Sequence, residues 1–398
     1  MKTDIKRKAD VVVIGGGVTG CTIAYDLAKA GVDTVLLEKS YLGSGATGKS
    51  GGVVWDNQPT REFIKLAKRS LERFERLEDE LDSDLETHVA GSVGLAYPGE
   101  EKAFKEGIEL KRIHGVDIKW LEKDEMKGMF SEIDVDSGLI GGSWNPSVLH
   151  LNPFKAVETL ADRAVRSGAR ICTFTEVRGI EVRDGEVKSI LTSRGRVETG
   201  IAVNAAGAWS HLVSAMAGME TPNFPVKHCA WAHVTEPIEP FPENHPYTEF
   251  SSSRIWGHQT EHGGFVWGCG DYMTPVNPPR RERDYTRAEL DHPRASLETL
   301  ERDSRSLREC IPRFNSMNIL RQWQGFFDAS PDARPILGEV DRVRGLVMAC
   351  GTSTTGFCLS QVTGELISDL IAKGKTPMQE IFEDLNLRRF QRERIVSS

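Results

Sequence analysis

Cysteine is sparse and unpaired in this chain: Cys21, Cys172, Cys229, Cys269, Cys310, Cys350 and Cys358 are scattered, odd in number, and form no C-x-x-C pair. That spacing excludes a disulfide framework and the usual zinc cage, and points to core thiols. Long hydrophobic runs are also missing. No stretch approaches the ~20 apolar residues that cross a bilayer, so no membrane span is expected and a cytoplasmic location fits best. Positive charge is in deficit, with 50 Lys and Arg against 58 Asp and Glu and a formal net charge of -8. A nucleic-acid partner is therefore not expected, because phosphate binding needs clustered cations. Lys6 to Lys8 and the run Val11 to Ile14 imitate the start of a signal peptide, but Gly15, Gly16 and Gly17 interrupt it, and the run reads as a buried strand. There is no internal repeat and no low-complexity segment.

What remains is an ordinary globular composition, 398 residues with 39% hydrophobic, large enough for two cores. Val11 to Ile14, a glycine turn, the helical spacing of Val18 to Ala30 stopped at Gly31, and Thr34 to Leu37 make one βαβ unit, which implies a parallel sheet. One long helix follows, with Phe63, Leu66, Leu71, Phe74, Leu77 and Leu81 on its apolar face. Val89 to Ile140 has the pattern of an insertion, short strands around a charged helix at Glu100 to Ile113. Phe154 to Ser167 predicts a helix and Ala169 to Thr173 a strand. Glu176 to Val182 and Val187 to Ser193 are joined by Asp184-Gly185, a hairpin signal. Ile201 to Asn204 predicts a buried strand. Pro222 to about Leu320 alternates, at Val226 to Val234 and Phe265 to Gly268, as an antiparallel sheet does. Leu346 to Ala349 reads as a strand, Gly351 to Gly356 as a loop, and Phe357 to Ala372 as a helix stopped at Gly374.

The chemistry concentrates in Gly15-Gly16-Gly17-Val18-Thr19-Gly20, set between a strand and a helix, with Glu38 at the tip of the next strand. Gly15 permits the tight turn, Gly17 lets the backbone approach a pyrophosphate, and Gly20 allows close packing, while the helix N-terminus presents N–H donors. Glu38 can accept from ribose hydroxyls. A dinucleotide site is the expectation, and the fingerprint alone does not separate NAD from FAD. The loop of small residues Gly43 to Gly52 is placed to run beside a pyrophosphate and leave a flavin face open.

With these elements, Val203-Asn204-Ala205-Ala206-Gly207-Ala208-Trp209, then Trp323 and Gly325 leading into Ser330-Pro331-Asp332 and Arg334 to Gly338, and Gly351 through Gly356-Phe357 to Gly364-Glu365, the sequence resembles the D-amino acid oxidase superfamily of FAD-dependent amine oxidoreductases over nearly its whole length. The resemblance implies an α/β plus β fold: a Rossmann-like FAD-binding domain, discontinuous at 1–88, 145–220 and 321–398, and an antiparallel-sheet substrate domain at 89–144 and 221–320. It assigns FAD to Gly15, Gly17, Val18, Thr19, Gly20, Glu38 and Lys39, to Ser44, Gly45, Ala46, Thr47, Lys49, Ser50 and Gly51, and to Val177, Ala206, Gly207 and Trp209. It adds Gly351, Thr352, Thr354, Thr355, Gly356 and Phe357, whose amides and helix dipole face the flavin, with Thr354 and Thr355 as candidate caps.

Departures from the family pattern carry their own implications. Gly325 stands where monomeric sarcosine oxidases attach flavin through cysteine, and no histidine lies in the Gly43 to Gly52 loop, so FAD is expected to be non-covalent. Phe327 replaces the carboxylate-binding arginine of glycine oxidases, and Cys358 the lysine of sarcosine oxidases. Arg254 and Arg334 become the candidate carboxylate anchors. Trp256 and His258 take the places of a Tyr and an Arg over the flavin, and His258 becomes a candidate proton acceptor. No metal site is expected; His228 and His233 read as packed side chains near Trp231. Cys350 and Cys358 read as structural thiols, and Arg388, Arg389, Phe390, Arg392 and Arg394 as a solvated helix end. The partners implied are a small amine or amino acid, oxygen or another electron acceptor, and a possible partner subunit. The alternatives are an FAD-carrying β subunit inactive alone, and an NAD-dependent or non-catalytic nucleotide-binding protein.

Overall fold

The structure, a computed structural model, describes residues 7–226, 231–242, 245–250, 255–269 and 297–392. Its central sheet has six strands in the order Ile336–Glu339, Leu346–Cys350, Ile201–Asn204, Val11–Ile14, Thr34–Leu37 and Arg170–Cys172. All neighbours run parallel except the first pair. Val11 and Val13 face one core and Val12 and Ile14 the other, as the period of two requires. Both faces are covered, so the strand reads as an unbroken apolar run. On one side pack the helices Val18–Lys29, Arg61–Phe74, Pro153–Arg166 and Ser360–Lys373. On the other lies the antiparallel sheet Val177–Arg183, Glu186–Thr192 and Gly195–Glu198, its first turn made by Asp184 (φ 53°) and Gly185 (φ 73°).

An eight-stranded sheet follows the order Ile319–Gln324, Trp231–Pro237, Gly264–Cys269, Ile255–Gln259, Tyr247–Phe250, Ser92–Ala96, Gly141–Asn145 and Lys119–Glu122. It is antiparallel except at one junction, where Tyr247–Phe250 lies parallel to Ser92–Ala96. The expected antiparallel sheet is thus present with one parallel junction, where two separate excursions of the chain meet edge to edge and no hairpin dictates their direction. Ile255, Phe265 and Trp267 bury one face against Leu307 and Ile311 of the helix Leu297–Cys310 and its exit. Trp256 and His258 occupy the opposite face.

Three local expectations also change. The long apolar helix is two, Arg61–Phe74 and Leu77–Leu81, though all six apolar residues are buried. The helix expected from Phe357 starts at Ser360, with no side-chain cap; Thr355 instead donates its hydroxyl to the Thr352 carbonyl at 2.8 Å. Of the tail's described side chains, Arg389 is largely covered and pairs with Asp332 at 2.7 Å, while Arg388 is exposed and pairs with Asp341. His228, Arg392 and Arg394 lie outside the described side chains. His233 is buried against Asp303 at 3.3 Å and the Trp267 ring, and no cluster of metal-ligating side chains occurs among the described residues. No helix among them is long and apolar enough to cross a membrane.

Candidate active site

The glycine fingerprint is built as its chemistry requires. Gly15 has φ 113°, and a Cβ there would sit 2.4 Å from the Ala205 carbonyl oxygen; one on Gly20 would sit 2.0 Å from that of Gly15. Gly17 starts the first helix without a side-chain cap of its own; the Val18 amide donates to Thr47 Oγ1 at 3.1 Å, and the donors that follow in the first turn stay open to an anion. Glu38 is buried, accepting from the Gly16 amide at 2.7 Å through Oε2 and from the Ser40 amide at 2.7 Å through Oε1. Its carboxylate thus braces the turn, and the residue lines a cavity.

That cavity, about 310 Å³, runs along the end of the parallel sheet. Of the expected cofactor contacts, Gly15, Gly17, Val18, Thr19, Glu38, Lys39, Ser44, Gly45, Ala46, Thr47, Lys49, Ser50, Gly51, Val177, Ala206, Gly207, Trp209, Thr352, Thr354, Gly356 and Phe357 line it. Gly20, Gly351 and Thr355 do not. They stand behind it: Gly20 closes on Gly15, and Thr355 is turned to Thr352.

The Gly43 to Gly52 loop is tied down rather than loose. Lys49 reaches the carbonyls of Ser44 and Gly45, the Trp323 indole donates to the Lys49 carbonyl at 3.2 Å, and His258 Nε2 donates to the Gly51 carbonyl at 2.9 Å. Burial and the neighbouring Lys39 and Arg321 lower the pKa of Lys49. Lys39 lies over the Trp209 ring at 3.8 Å.

At the far end the walls are aromatic: Trp55, Tyr247, Trp256 and Phe327. Trp256 and Phe327 were singled out in the sequence; Trp55 and Tyr247 were not, since neither belongs to a motif. Cys358 also lines this end, its thiol donating to the Trp55 carbonyl at 3.1 Å while burial pushes its pKa up to about 12. It is a neutral wall group, not a nucleophile.

Two of the expected substrate-site residues do not line the cavity. His258 is not among the lining residues. Two positions beyond Trp256 on the same face of the strand, His258 passes behind Gly51 and packs tilted against His150 at 4.0 Å between ring centroids, and burial lowers its pKa. Arg334 is also outside the cavity, near the Asp384 carbonyl at 3.4 Å. Arg254 lies outside the described residues. Among the described lining residues the cations are Lys39 and Lys49.

The residues present fit FAD. Buried and unpartnered, Trp209 Nε1 and Ser353 Oγ belong to lining residues. The amides of Gly356, Phe357 and Cys358 make no hydrogen bond within the described chain. Open donors at both ends of one cavity suit an anionic dinucleotide that carries a flavin.

The fold and this site define a dinucleotide-dependent oxidoreductase. The profile of the DAO family, FAD dependent oxidoreductase, matches residues 10–370, and the chain belongs to that family. It is 28% identical over 394 residues to mouse (Mus musculus) mitochondrial dimethylglycine dehydrogenase, covering 96% of this chain and 44% of that protein. The chain therefore spans less than half the length of that relative. Sarcosine oxidase subunit beta of Rhodobacter capsulatus is 27% identical, over 95% of this chain and 88% of that protein. Among solved structures, L-proline dehydrogenase from P. horikoshii superposes with a TM-score of 0.86 at 32% identity, covering 98% of this chain and 99% of that one.

Proposed function

We propose that this chain oxidises the CH–NH bond of a small amine or N-substituted amino acid. The observation that carries the proposal is the continuity of one cavity, from the glycine fingerprint through the Gly43 to Gly52 loop to the walls Trp55, Tyr247, Trp256 and Phe327. When bound, FAD supplies the acceptor, at flavin N5, for a hydride from the substrate α-carbon. The unprotonated amine loses that hydride to become an iminium, the protonated imine, and water hydrolyses it to a carbonyl compound and the protonated amine that leaves. The aromatic walls exclude bulk water and align the α-carbon. The amides of Gly356, Phe357 and Cys358 are fixed donors for negative charge that develops at the cofactor. Two measurements test the reading together: a deuterated α-carbon should slow cofactor reduction, and one carbonyl product should form per flavin reduced. Equal rates for both isotopologues at saturation, with no carbonyl product, would overturn it.

The Rossmann-like FAD domain at 1–88, 145–220 and 321–398 and the substrate domain at 89–144 and 221–320 form part of this proposal. The strand Ile319–Gln324 belongs to the eight-stranded sheet, so the last boundary of this proposal moves from 320 to the end of that strand. FAD is proposed to be non-covalent: any side chain at position 325 would meet Lys49 Cδ at 2.6 Å, and no nucleophile stands there. The match to a sarcosine oxidase subunit beta over 88% of its length favours one second reading, a chain that reduces its flavin only beside a partner subunit. Rapid flavin reduction by substrate in the isolated chain would exclude it.

A further inference from the structure

Asp328 stands in the short strand Phe327–Ala329, 3% exposed, where the cavity meets the loop Gly351 to Phe357. Both its oxygens face N–H donors: Oδ1 accepts from Asn223 Nδ2 at 2.8 Å and Oδ2 from the Gly351 amide at 2.6 Å. Its main-chain carbonyl accepts from the Ser353 amide at 2.7 Å. Gly351 and Ser353 both have positive φ, 63° and 53°. A serine holds that conformation only where its surroundings impose it. One residue thus clamps both ends of the left-handed turn that leads to the open amides of Gly356, Phe357 and Cys358.

Resting on the FAD reading of the cavity, we propose that Asp328 is a positioning residue for the cofactor: its carboxylate holds the Gly351 to Ser353 turn in the binding geometry, and protonation loosens the hold. Asn223 gives the change a structural route. Its Oδ1 is buried without a partner. With the amide as it stands, Nδ2 donates to a carboxylate; turned over, Oδ1 accepts the proton that Asp328 has gained. The Gly351 bond then loses its charge assistance, which makes it roughly half as strong.

Burial raises the Asp328 carboxyl to about 7, against the pull of Asn223 and Gly351, so the exchange falls near neutral pH. Its titratable neighbour is Cys350, whose thiol burial and Asp328 itself keep neutral; Arg389, which also acts on Cys350, is paired with Asp332. Behind Gly51, outside the cavity lining, burial lowers the pKa of His150 and His258, so they change charge on the acid side. Variants at positions 223 and 328 leave those rings untouched, which separates the two effects.

The test is titration of FAD-stripped protein with FAD, by quenching of flavin fluorescence, from pH about 5.5 to about 8.5. Wild type is expected to bind about fivefold or more weakly at pH 6 than at pH 8, with a midpoint near neutrality. Asp328→Asn should bind more weakly and lose the step centred near neutrality. Asn223→Ala keeps the carboxylate but removes a donor that favours its ionised form, so the midpoint should move upward; it serves if Asp328→Asn does not fold. Tight binding that is flat across this range, or a midpoint unmoved in Asn223→Ala, overturns the proposal and leaves the FAD reading intact. No FAD binding at any pH overturns both.

Discussion

Replacing Glu38 with glutamine tests whether the fingerprint turn is held by charge. In the folded chain the carboxylate is 8% exposed and takes the Gly16 and Ser40 amides, each at 2.7 Å. Glutamine keeps one acceptor oxygen and turns its NH2 toward the other donor. One charge-assisted bond is lost, about 1.5–3 kcal/mol, and the survivor becomes neutral, losing about 1 kcal/mol more. The folded chain should therefore be destabilised by about 3 kcal/mol. Because the same turn presents Gly17 and the helix N-terminus to the cofactor, FAD affinity should fall by one to two orders of magnitude, at about 1.4 kcal/mol per tenfold. Thermal melting of the stripped protein and FAD titration read the two effects separately. If Glu38→Gln melts with wild type and binds FAD equally well, the carboxylate does not brace the turn and the reasoning is wrong.

Gly20→Ala places a methyl 2.0 Å from the Gly15 carbonyl oxygen, a backbone atom that cannot move aside; it should abolish FAD retention on gel filtration, and retention at wild-type stoichiometry would contradict the packing. His258→Phe should leave the limiting rate of flavin reduction within about threefold, measured by stopped flow, whereas loss of a general base removes about a hundredfold or more. His150 and His258 have pKa values lowered by burial, so the neutral rings fit the fold. Their contribution to stability is complete above the unfolded value of 6.5 and is lost as pH falls through the lower folded values, seen as an acid-side drop in melting temperature that His150→Phe/His258→Phe reduces. Denaturing the yellow protein in acid should release all of its FAD into the supernatant, and flavin that stays with the pellet would refute non-covalent binding.

The sequence made the nucleotide end legible because its signals are local: a β-branched run, glycines at fixed offsets, and an acid on the next strand tip. Helix limits were less legible. Phe74, Leu77 and Leu81 continue the apolar spacing across a real break, so periodicity hides the join at Glu75 and Arg76. The parallel meeting of Tyr247–Phe250 with Ser92–Ala96 leaves no trace in either segment, because their pairing is wholly long-range. His258 was placed on the correct strand face with Trp256, but period two gives the face and not the depth; Gly51, remote in sequence, intervenes. Asp328 carried no signal either. Beside Ser330-Pro331-Asp332 it reads as a turn residue, and only the folded chain shows it buried against Asn223 and Gly351.

Amine oxidation by a bound flavin is decided by recording the visible spectrum of the purified chain without oxygen while amines, N-methyl amino acids, free amino acids and hydroxy acids are added in turn. A yellow protein should be bleached by a nitrogen compound carrying an α-hydrogen and not by its hydroxy analogue. Bleaching by the hydroxy acids alone, or a colourless protein that takes up no FAD, would contradict it.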